Sequence, residues 1–294
     1  MSSGWIILDK ASGLYSRATS SRVAGLFGIK KSGHVGTLDP MATGVLPIAI
    51  GDATKMIPYI EIANGGVKEY LFSVQFGRTT DTLDVMGQVI ARNHKVPTDA
   101  QIFSILDKFI GDICQMPPAY SAIHVNGQRA YEIARAGGDV VMPPRRVRIY
   151  DLKYNGKVGD SWHFYVKCGT GTYVRSLGRD IAAKCGAIAV VDMIRRISTN
   201  GFYIKNAVTL DFLENLVNNG ADIKKYLMPV DSGLGDIPVL NLNDEETELY
   251  INGGFIQVTG QSGIHRVYNG TDFVGIGNVE NEQLRPRRTV KKEI

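Results

Sequence analysis

Residues 33–47 read Gly-His-Val-Gly-Thr-Leu-Asp-Pro-Met-Ala-Thr-Gly-Val-Leu-Pro, and their single carboxylate, Asp39, is surrounded by three glycines and two prolines. Pro40 favours an extended backbone at Asp39, and the glycines permit conformations that other residues avoid. Most Asp-Pro pairs only begin a turn or cap a helix. This carboxylate, however, ends the longest acid-free basic stretch of the chain, which would keep it ionised. The segment therefore predicts a rigid loop that presents Asp39 as a candidate nucleophile, followed by a strand over residues 45–50.

The charge of the chain is unevenly distributed along the sequence. The formal net charge of +4 divides into +6 for residues 1–236 and −2 for residues 237–294. Residues 10–38, 140–150 and 161–179 contain basic residues and no acid. Such stretches either form separate solvated surfaces or meet in one groove that binds a polyanion such as a nucleic acid. Their basic residues are Lys10, Arg17, Arg22, Lys30, Lys31, Arg145, Arg146, Arg148, Lys167, Arg175 and Arg179.

The composition excludes several classes of protein. With 44% hydrophobic and 21% charged residues, the chain of 294 residues has a globular composition and a length that suits two domains. No apolar run approaches the roughly 20 residues of a membrane span, and residues 1–13 lack the basic and apolar regions of a signal peptide. Three widely spaced cysteines exclude a disulfide scaffold. We therefore expect a soluble protein of the cytoplasm that does not associate with membranes.

Familiar metal and nucleotide motifs do not occur in the sequence. The five histidines never lie at metal-ligand spacing from one another or from a cysteine. Residues 25–32, Gly-Leu-Phe-Gly-Ile-Lys-Lys-Ser, place the second glycine too early for a phosphate-binding loop. Gly169-Thr-Gly171 lacks the third glycine of a dinucleotide site. The sequence therefore predicts no metal and no nucleotide cofactor.

The hydrophobic pattern predicts both strands and helices along the chain. A Ser/Thr cluster followed by apolar residues 23, 26 and 27 predicts a capped helix over residues 17–27. Two proline pairs bracket a polar insertion over residues 119–143. Residues 233–238 are a linker candidate, and the short strands after them are typical of a small β-barrel. Further strands are predicted at residues 5–9, 69–77, 146–154 and 161–168, and further helices at 98–109, 175–185 and 209–217.

Residues 33–44 resemble the catalytic loop of the TruB family of tRNA pseudouridine-55 synthases. Five more motifs are similar to this family in the same order, so the resemblance covers nearly the whole chain. It implies an α+β fold, with a pseudouridine-synthase catalytic domain over residues 1–236 whose mixed, mainly antiparallel central sheet is flanked by helices and loops. It also implies a PUA-like RNA-binding barrel over residues 237–294. The other motifs lie at residues 4–10, 78–87, 117–135, 171–175 and 194–196, and the chain departs from the family pattern at Ala11, Tyr15, Met86 and His124.

The resemblance implies an isomerase that converts uridine in tRNA to pseudouridine. The N1–C1′ bond breaks, the base rotates, and a C5–C1′ bond forms, with Asp39 as the nucleophile. Tyr70 matches a pocket tyrosine that stacks on the base and is a candidate to move a proton. Arg175 matches an arginine paired with the catalytic Asp, which would orient Asp39 and lower its pKa. Without the resemblance, Tyr70 is interpreted as a core aromatic of a β-strand, and two alternatives stay open for Arg175, a surface arginine or a pocket residue.

The target uridine lies in a folded T-loop, so it must leave the base stack to react. By resemblance, His34 takes the place of the flipped base, Tyr173 packs on that base, and Ile194 forms an apolar wall. Lys10 belongs to the same predicted substrate site. The basic insertion would bind RNA phosphates, although it could also be an ordinary hairpin, and the acidic barrel could be a structural cap. The predicted RNA contacts are Arg129, Tyr131, Arg135, Arg145 and Arg146.

The resemblance also implies the T-arm of tRNA as the partner, no cofactor, no obligate protein partner and a monomer. Two alternatives remain open. One is a non-catalytic RNA-binding or tRNA-folding protein on the same scaffold, which loss of the pocket Asp, Tyr or Arg would favour; all three are present. The other is a synthase of the RNA-guided subfamily that acts on other RNAs.

Overall fold

The computed structural model describes residues 3–121, 123–125, 127–138, 140 and 142–290, and the fold is α+β, as predicted. Within these ranges, no helix combines the length and the apolar character needed to cross a bilayer. The helices are α1 (Ser16–Leu26), α2 (Ile57–Asn64), α3 (Asp99–Leu106), α4 (Ala130–Arg135), α5 (Val174–Lys184), α6 (Leu210–Asn218) and α7 (Asp244–Ile251). The strands are β1 (Gly4–Lys10), β2 (Ser32–His34), β3 (Thr43–Ile50), β4 (Lys68–Phe76), β5 (Arg78–Thr80), β6 (Val89–Arg92), β7 (Gly111–Gln115), β8 (His124–Val125), β9 (Gln128–Arg129), β10 (Arg145–Val158), β11 (Ser161–Cys168), β12 (Ala189–Thr199), β13 (Phe202–Tyr203), β14 (Val239–Asn241), β15 (Ile256–Gln257), β16 (Gly263–Asn269), β17 (Asp272–Glu280) and β18 (Gln283–Thr289).

The chain forms two units whose segments alternate along the sequence. The first unit comprises the residues up to Pro40, Val45–Gly66 and the residues from Asn200 onward. The second unit comprises Met41–Gly44 and Val67–Thr199. The chain therefore passes from the first unit to the second directly after the loop that carries Asp39. The domain boundary expected between residues 236 and 237 lies within the first unit and stays a prediction.

An apolar core around Trp5 stabilises the first unit. Trp5 is fully buried in β1, its ring centroid lies 5.4 Å from that of Phe202, and its indole N–H donates to the Val230 carbonyl at 2.9 Å. A backbone bridge also joins Trp5 to Met228. β1 is therefore fixed to the segment that leads into the C-terminal sheet. The core also contains Ile7, Val35, Val45, Ala49, Met56, Ile60, Leu234, Ile237 and Ile276.

The end of the first unit is a five-stranded sheet in the order β14-β16-β17-β18-β15. β14 runs parallel to β16, and the other neighbours are antiparallel. Tyr250 of α7 is fully buried in the apolar cluster of this sheet. Asn243 and Glu246 form a capping box that begins α7. The arrangement is PUA-like, in agreement with the predicted small barrel.

The second unit is built on a sheet in the order β12-β4-β11-β10-β7, with every neighbouring pair antiparallel. Phe72 of β4 and Phe164 of β11 stack with their ring centroids 5.2 Å apart. The two residues that begin β3 pair with β12 in parallel. The sequence does not predict β12, because this strand buries a charged residue, Arg196, among apolar ones. A buried charge breaks the alternation by which a strand is recognised.

The predicted side-chain cap of α1 is wrong. The helix begins at Ser16, and the side chain of its N-cap residue, Tyr15, makes no capping hydrogen bond. The serine hydroxyls of this region bind the following loop instead. Ser16 Oγ bonds with Leu38, and Ser20 Oγ donates to the Gly33 carbonyl at 3.0 Å. The cluster that resembles a cap therefore connects α1 to the loop that carries Asp39.

The predicted insertion contains a short hairpin and one helical segment. β8 and β9 pair in the hairpin, and its turn includes Gly127 with a φ of +86°, a conformation that favours glycine. The helix α4 follows directly. Residues 122, 126, 139 and 141 of the insertion lie outside the described residues. The hairpin is present, and the role of the insertion in RNA binding stays a prediction.

The three cysteines give a direct test of this packing. Cys114 is exposed in β7, whereas Cys168 and Cys185 are buried. Burial raises the pKa of the Cys168 thiol to about 11 and also raises the pKa of Cys185. Because the thiolate is the reactive form, iodoacetamide at neutral pH should label Cys114 rapidly and the other two slowly. Peptide mass mapping would show this, with urea-denatured protein as the control; rapid labelling of Cys168 in the native protein would contradict the described sheet.

Candidate active site

The backbone on both sides of Asp39 is held by hydrogen bonds. Before it, Ser16 Oγ accepts from the Leu38 N–H and donates to the Leu38 carbonyl, both at 3.0 Å. After it, the Gly13 N–H donates to the Pro40 carbonyl at 2.8 Å. Asp39 itself is half-buried. The carboxylate is therefore attached to a fixed main chain, which is what a positioned reacting group requires.

Lys10 supplies further bonds to the same loop. Its side chain is completely buried at the end of β1. Its Nζ donates to the carbonyls of Ala11 and Leu14 at 2.9 Å and to that of Pro40 at 3.2 Å. These bonds close the turn over residues 11–14 and connect it to the residue that follows Asp39. The geometry gives Lys10 a structural role in the loop, and its contact with substrate stays a prediction.

His34 lies at the end of β2, half-buried, with Nε2 3.1 Å from Thr37 Oγ1. It lines a concavity of about 330 Å³, together with two exposed basic side chains, Arg17 and Lys30. Positive charge and hydroxyl groups around a hollow of this kind suit a phosphate group. The remaining lining residues are Ser20, Ser21, Ser32, Gly33 and Ile57.

Arg175 is buried in the second unit, with 4% of its surface exposed. From α5 it donates Nη1–H to the Thr82 carbonyl and Nη2–H to the Tyr120 carbonyl, each at 2.9 Å. Asp84 lies 3.7 Å from Nη1 as an ionic partner. The guanidinium therefore joins the turn over residues 78–87 to the start of the insertion. The alternative of a surface arginine is wrong, because a buried guanidinium with these partners is part of the interior.

Tyr70 lies in β4, nearly buried, opposite Val166 of β11 and Arg196 of β12. The side chain of Arg196 is hydrogen-bonded to that of Tyr70. Burial lowers the pKa of the Arg196 guanidinium from its ordinary value. The charge interaction and the hydrogen bond with Tyr70 raise this pKa, but by less than burial lowers it. A tyrosine hydroxyl and a buried cation therefore meet in the middle of the second unit's sheet.

Tyr173 and Ile194 are both held through their main chains. The Tyr173 N–H donates to Gln115 Oε1 at 2.8 Å, and Gln115 Nε2 donates to the Tyr173 carbonyl at 3.2 Å. Ile194 is buried in β12, and its carbonyl accepts from Thr43 Oγ1 at 3.4 Å. The structure thus brings Tyr70, Arg175, Tyr173 and Ile194 into the second unit, and places Lys10, His34 and Asp39 in the first.

Comparison with known proteins shows which family has these motifs. The sequence profile described as TruB family pseudouridylate synthase (N terminal domain) matches residues 25–174. The chain belongs to the TruB family. A relative called tRNA pseudouridine synthase B from Caulobacter sp. (strain K31) is 43% identical over 245 residues, which cover 83% of this chain and 78% of the relative. A second relative of that name, from Gluconacetobacter diazotrophicus, is 40% identical over 298 residues, which cover 97% of this chain and 96% of the relative.

The fold of this TruB-family chain also has a counterpart among solved structures. A chain in the structure of an H/ACA RNP bound to a substrate RNA containing 2′-deoxyuridine superposes with a TM-score of 0.72. The match covers 98% of this chain and 85% of the other, at 19% sequence identity. At that identity the likeness concerns the fold.

The basic residues predicted to bind RNA fall into two groups in this TruB-family chain. The guanidinium carbons of Arg129 and Arg135 lie 6.0 and 5.4 Å from the ring centroid of Tyr131, and Arg129 Nη1 donates to the Tyr131 hydroxyl at 3.2 Å. Arg145 and Arg146 lie separately, exposed at the start of β10. The first group is a cation–π cluster, and the second presents two side chains to solvent.

Three residues that bond with the predicted site residues or their neighbours are not among the site residues predicted from the sequence: Ser16 in the first unit, and Gln115 and Arg196 in the second. Ser16 and Gln115 act on main-chain atoms of distant residues, so residue type and spacing give no signal for them. Arg196 lies in the family-like motif at residues 194–196, in which two adjacent basic residues follow Ile194. Such a residue is costly to bury unless it has polar partners, which is a reason to look for them.

Gly44 gives a test of the close approach between β3 and β12. It has a φ of +99°, and an added Cβ would lie 2.2 Å from the Arg196 carbonyl oxygen. Gly28 also has a positive φ, +69°, but has open space around it. Gly28→Ala should therefore cost about 1 kcal/mol of stability, and Gly44→Ala about 1–3 kcal/mol more. Urea denaturation would measure the difference, and equal losses for the two variants would contradict the described strand contact.

Proposed function

We propose that this TruB-family protein isomerises the uridine at position 55 of the tRNA T-loop to pseudouridine, with Asp39 as the nucleophile. The observation that carries the proposal is the loop geometry, in which Ser16, Gly13 and Lys10 hold the main chain on both sides of Asp39. A carboxylate attached to a main chain held in this way needs little backbone rearrangement when it attacks. Family membership supports the reaction, and the relatives called tRNA pseudouridine synthase B support the class of substrate.

The remaining roles follow the resemblance and the local geometry. Tyr70 stacks on the flipped base and moves a proton, Tyr173 packs on the base, and Ile194 forms the apolar wall. Aromatic and apolar faces of this kind are how proteins usually hold an extruded base. Arg175 is the charge partner of the nucleophile, and its two carbonyl bonds support it in a fixed orientation. His34 occupies the stack that the uridine leaves.

Two exposed basic surfaces are candidates to bind the RNA backbone. One candidate comprises Arg145 and Arg146 at the start of β10 together with the separate cation–π cluster of the insertion. The other is the concavity that contains Arg17 and Lys30 beside His34. Arg17, Lys30, Arg145 and Arg146 lie in acid-free stretches of the sequence, where attraction to phosphate meets little opposition. The cation–π cluster includes one acid, Glu132, which accepts a hydrogen bond from the Tyr131 hydroxyl. We assign the insertion to the RNA phosphates and treat the concavity as the alternative path.

Location and assembly are also part of the proposal. The protein acts in the cytoplasm as a monomer, without a partner protein. Its free, mostly buried cysteines support a reducing compartment. The monomer rests on the family resemblance.

Asp39→Asn tests the nucleophile. The amide keeps the shape of the side chain and removes its nucleophilicity, so single-turnover pseudouridine formation should fall by more than about 1000-fold, while tRNA affinity stays nearly unchanged. Asp236→Asn, at an exposed carboxylate, is the matched control and should keep the parental rate. Turnover by deamidation-free Asp39→Asn would disprove the assignment. Pseudouridine formed in tRNA, but at a position other than 55, would disprove the proposed site specificity.

The two basic surfaces can be separated by the salt dependence of tRNA binding. Arg145→Ala or Arg146→Ala should weaken binding of cognate and unrelated tRNA alike, and should lower the log–log salt slope by about one unit for each phosphate that is no longer neutralised. Lys108→Ala, at an exposed lysine after α3, is the control. The rate at saturating enzyme should stay unchanged, because these side chains position RNA without touching the base.

Three further variants complete that comparison. His34→Ala should keep a near-parental salt slope but slow base flipping, measured by 2-aminopurine fluorescence at the target position. If the β10 variants keep the parental slope while Arg17→Ala and Lys30→Ala lower it, the insertion is not the phosphate clamp, and the RNA backbone follows the concavity beside His34.

A further inference from the structure

Arg196 is one of the largest fully buried side chains of the described structure. Its backbone is fixed on two sides, by antiparallel pairing with Tyr70 on β4 and by parallel pairing with Gly44 on β3. Gly44 approaches so closely that any Cβ there would strike the Arg196 carbonyl. A guanidinium buried to this degree is costly unless its donors are used, so its side-chain partner is informative.

The direction of the Arg196–Tyr70 hydrogen bond follows from the chemistry of the two groups. A guanidinium has five N–H donors and no acceptor, so Arg196 donates and the phenolic oxygen of Tyr70 accepts. The Tyr70 hydroxyl then directs its own proton to a different acceptor. A cation at this oxygen also stabilises the negative charge that develops there when the proton leaves.

We propose that Arg196 is a positioning residue for the isomerisation, which holds the Tyr70 hydroxyl in the orientation that moves a proton on the flipped uridine. The proposal rests on the proposed function. The reaction needs no co-reactant, because C5 loses a proton once the C5–C1′ bond has formed and N1 gains one after the N1–C1′ bond has broken. Arg196 is fully buried, so it acts through Tyr70 and does not touch the RNA.

A double-mutant cycle with Tyr70 tests this route. Arg196→Met removes the charge and the donors at similar volume, and Tyr70→Phe removes the hydroxyl. In the parental background, Arg196→Met should lower the single-turnover rate at saturating enzyme on the order of 10- to 100-fold, which is part of what positioned proton transfer contributes. The tRNA dissociation constant should stay close to parental. In the Tyr70→Phe background, the same change should leave the rate nearly unaltered, since the hydroxyl it positions is gone.

Rescue and folding controls distinguish positioning from general damage. Arg196→Lys keeps a charge and N–H donors, so it should recover a large part of the rate, and Arg92→Met, at an exposed strand arginine, should keep the parental rate. Circular dichroism and thermal unfolding check the fold. If Arg196→Met does not fold, the cycle is run with Arg196→Lys, whose smaller loss should likewise vanish in the Tyr70→Phe background.

The outcomes separate this inference from the proposed function. If Arg196→Met lowers the rate by the same factor with and without the Tyr70 hydroxyl, Arg196 does not act through Tyr70 and the inference is overturned, while the proposed function stands. A rise in the tRNA dissociation constant that accounts for the whole loss overturns it too. If the parental protein forms no pseudouridine in tRNA, the proposed function fails, and the inference that rests on it fails with it.

Discussion

The buried ammonium group of Lys10 is the constraint on which the Asp39 loop depends. An ammonium removed from water is tolerated only if its donors find oxygen acceptors, because its desolvation costs several kcal/mol. Here the acceptors are three main-chain carbonyls, those of Ala11, Leu14 and Pro40. The cost of an unpaired charge therefore disfavours other conformations of these two segments. The Lys10 ammonium group on β1 and the Ser16 hydroxyl thus fix the main chain on both sides of Asp39. The sequence motif alone specifies only which residue is present there.

In the second unit, too, the hydrogen bonds of buried cations fix the groups around them. Arg175 is buried with its donors on the carbonyls of Thr82 and Tyr120, and Arg196 is buried with a donor on the hydroxyl of Tyr70. A guanidinium directs its donors in a rigid plane, so each one fixes the orientation of the groups around it. Loops gain order in this way without a large apolar surface of their own. This explains how segments rich in glycine, threonine and aspartate can hold a definite geometry.

The sequence predicts the strands with an alternating apolar pattern better than the hydrogen bonds between distant polar groups. The strands expected at residues 69–77 and 161–168 correspond closely to β4 and β11, because their alternating pattern reflects local burial. The cap of α1 is wrong because Ser16 finds its partner 22 residues away in the chain. β12 is not predicted, because Arg196 interrupts its apolar pattern. Asp39 is found through its loop, yet nothing local shows that Ser16, Gly13 and Lys10 hold it. Pairings between distant residues are set by tertiary structure, which spacing along a chain does not encode.

The burial of basic residues also changes what the acid-free stretches mean. From the sequence, they form either separate solvated surfaces or one groove for a polyanion, but Lys10 and Arg175 are interior groups, and Arg22 is paired with Glu214. Only the exposed members can attract phosphate from solution, and these are fewer than the count implies: Arg17, Arg22, Lys30, Lys31, Arg145, Arg146 and Arg148. Arg22 and Arg148 already have ionic partners, in Glu214 and Asp112. The remaining exposed charges form two short patches, one on α1 with the turn before β2 and one at the start of β10, and these patches attract a polyanion from solution.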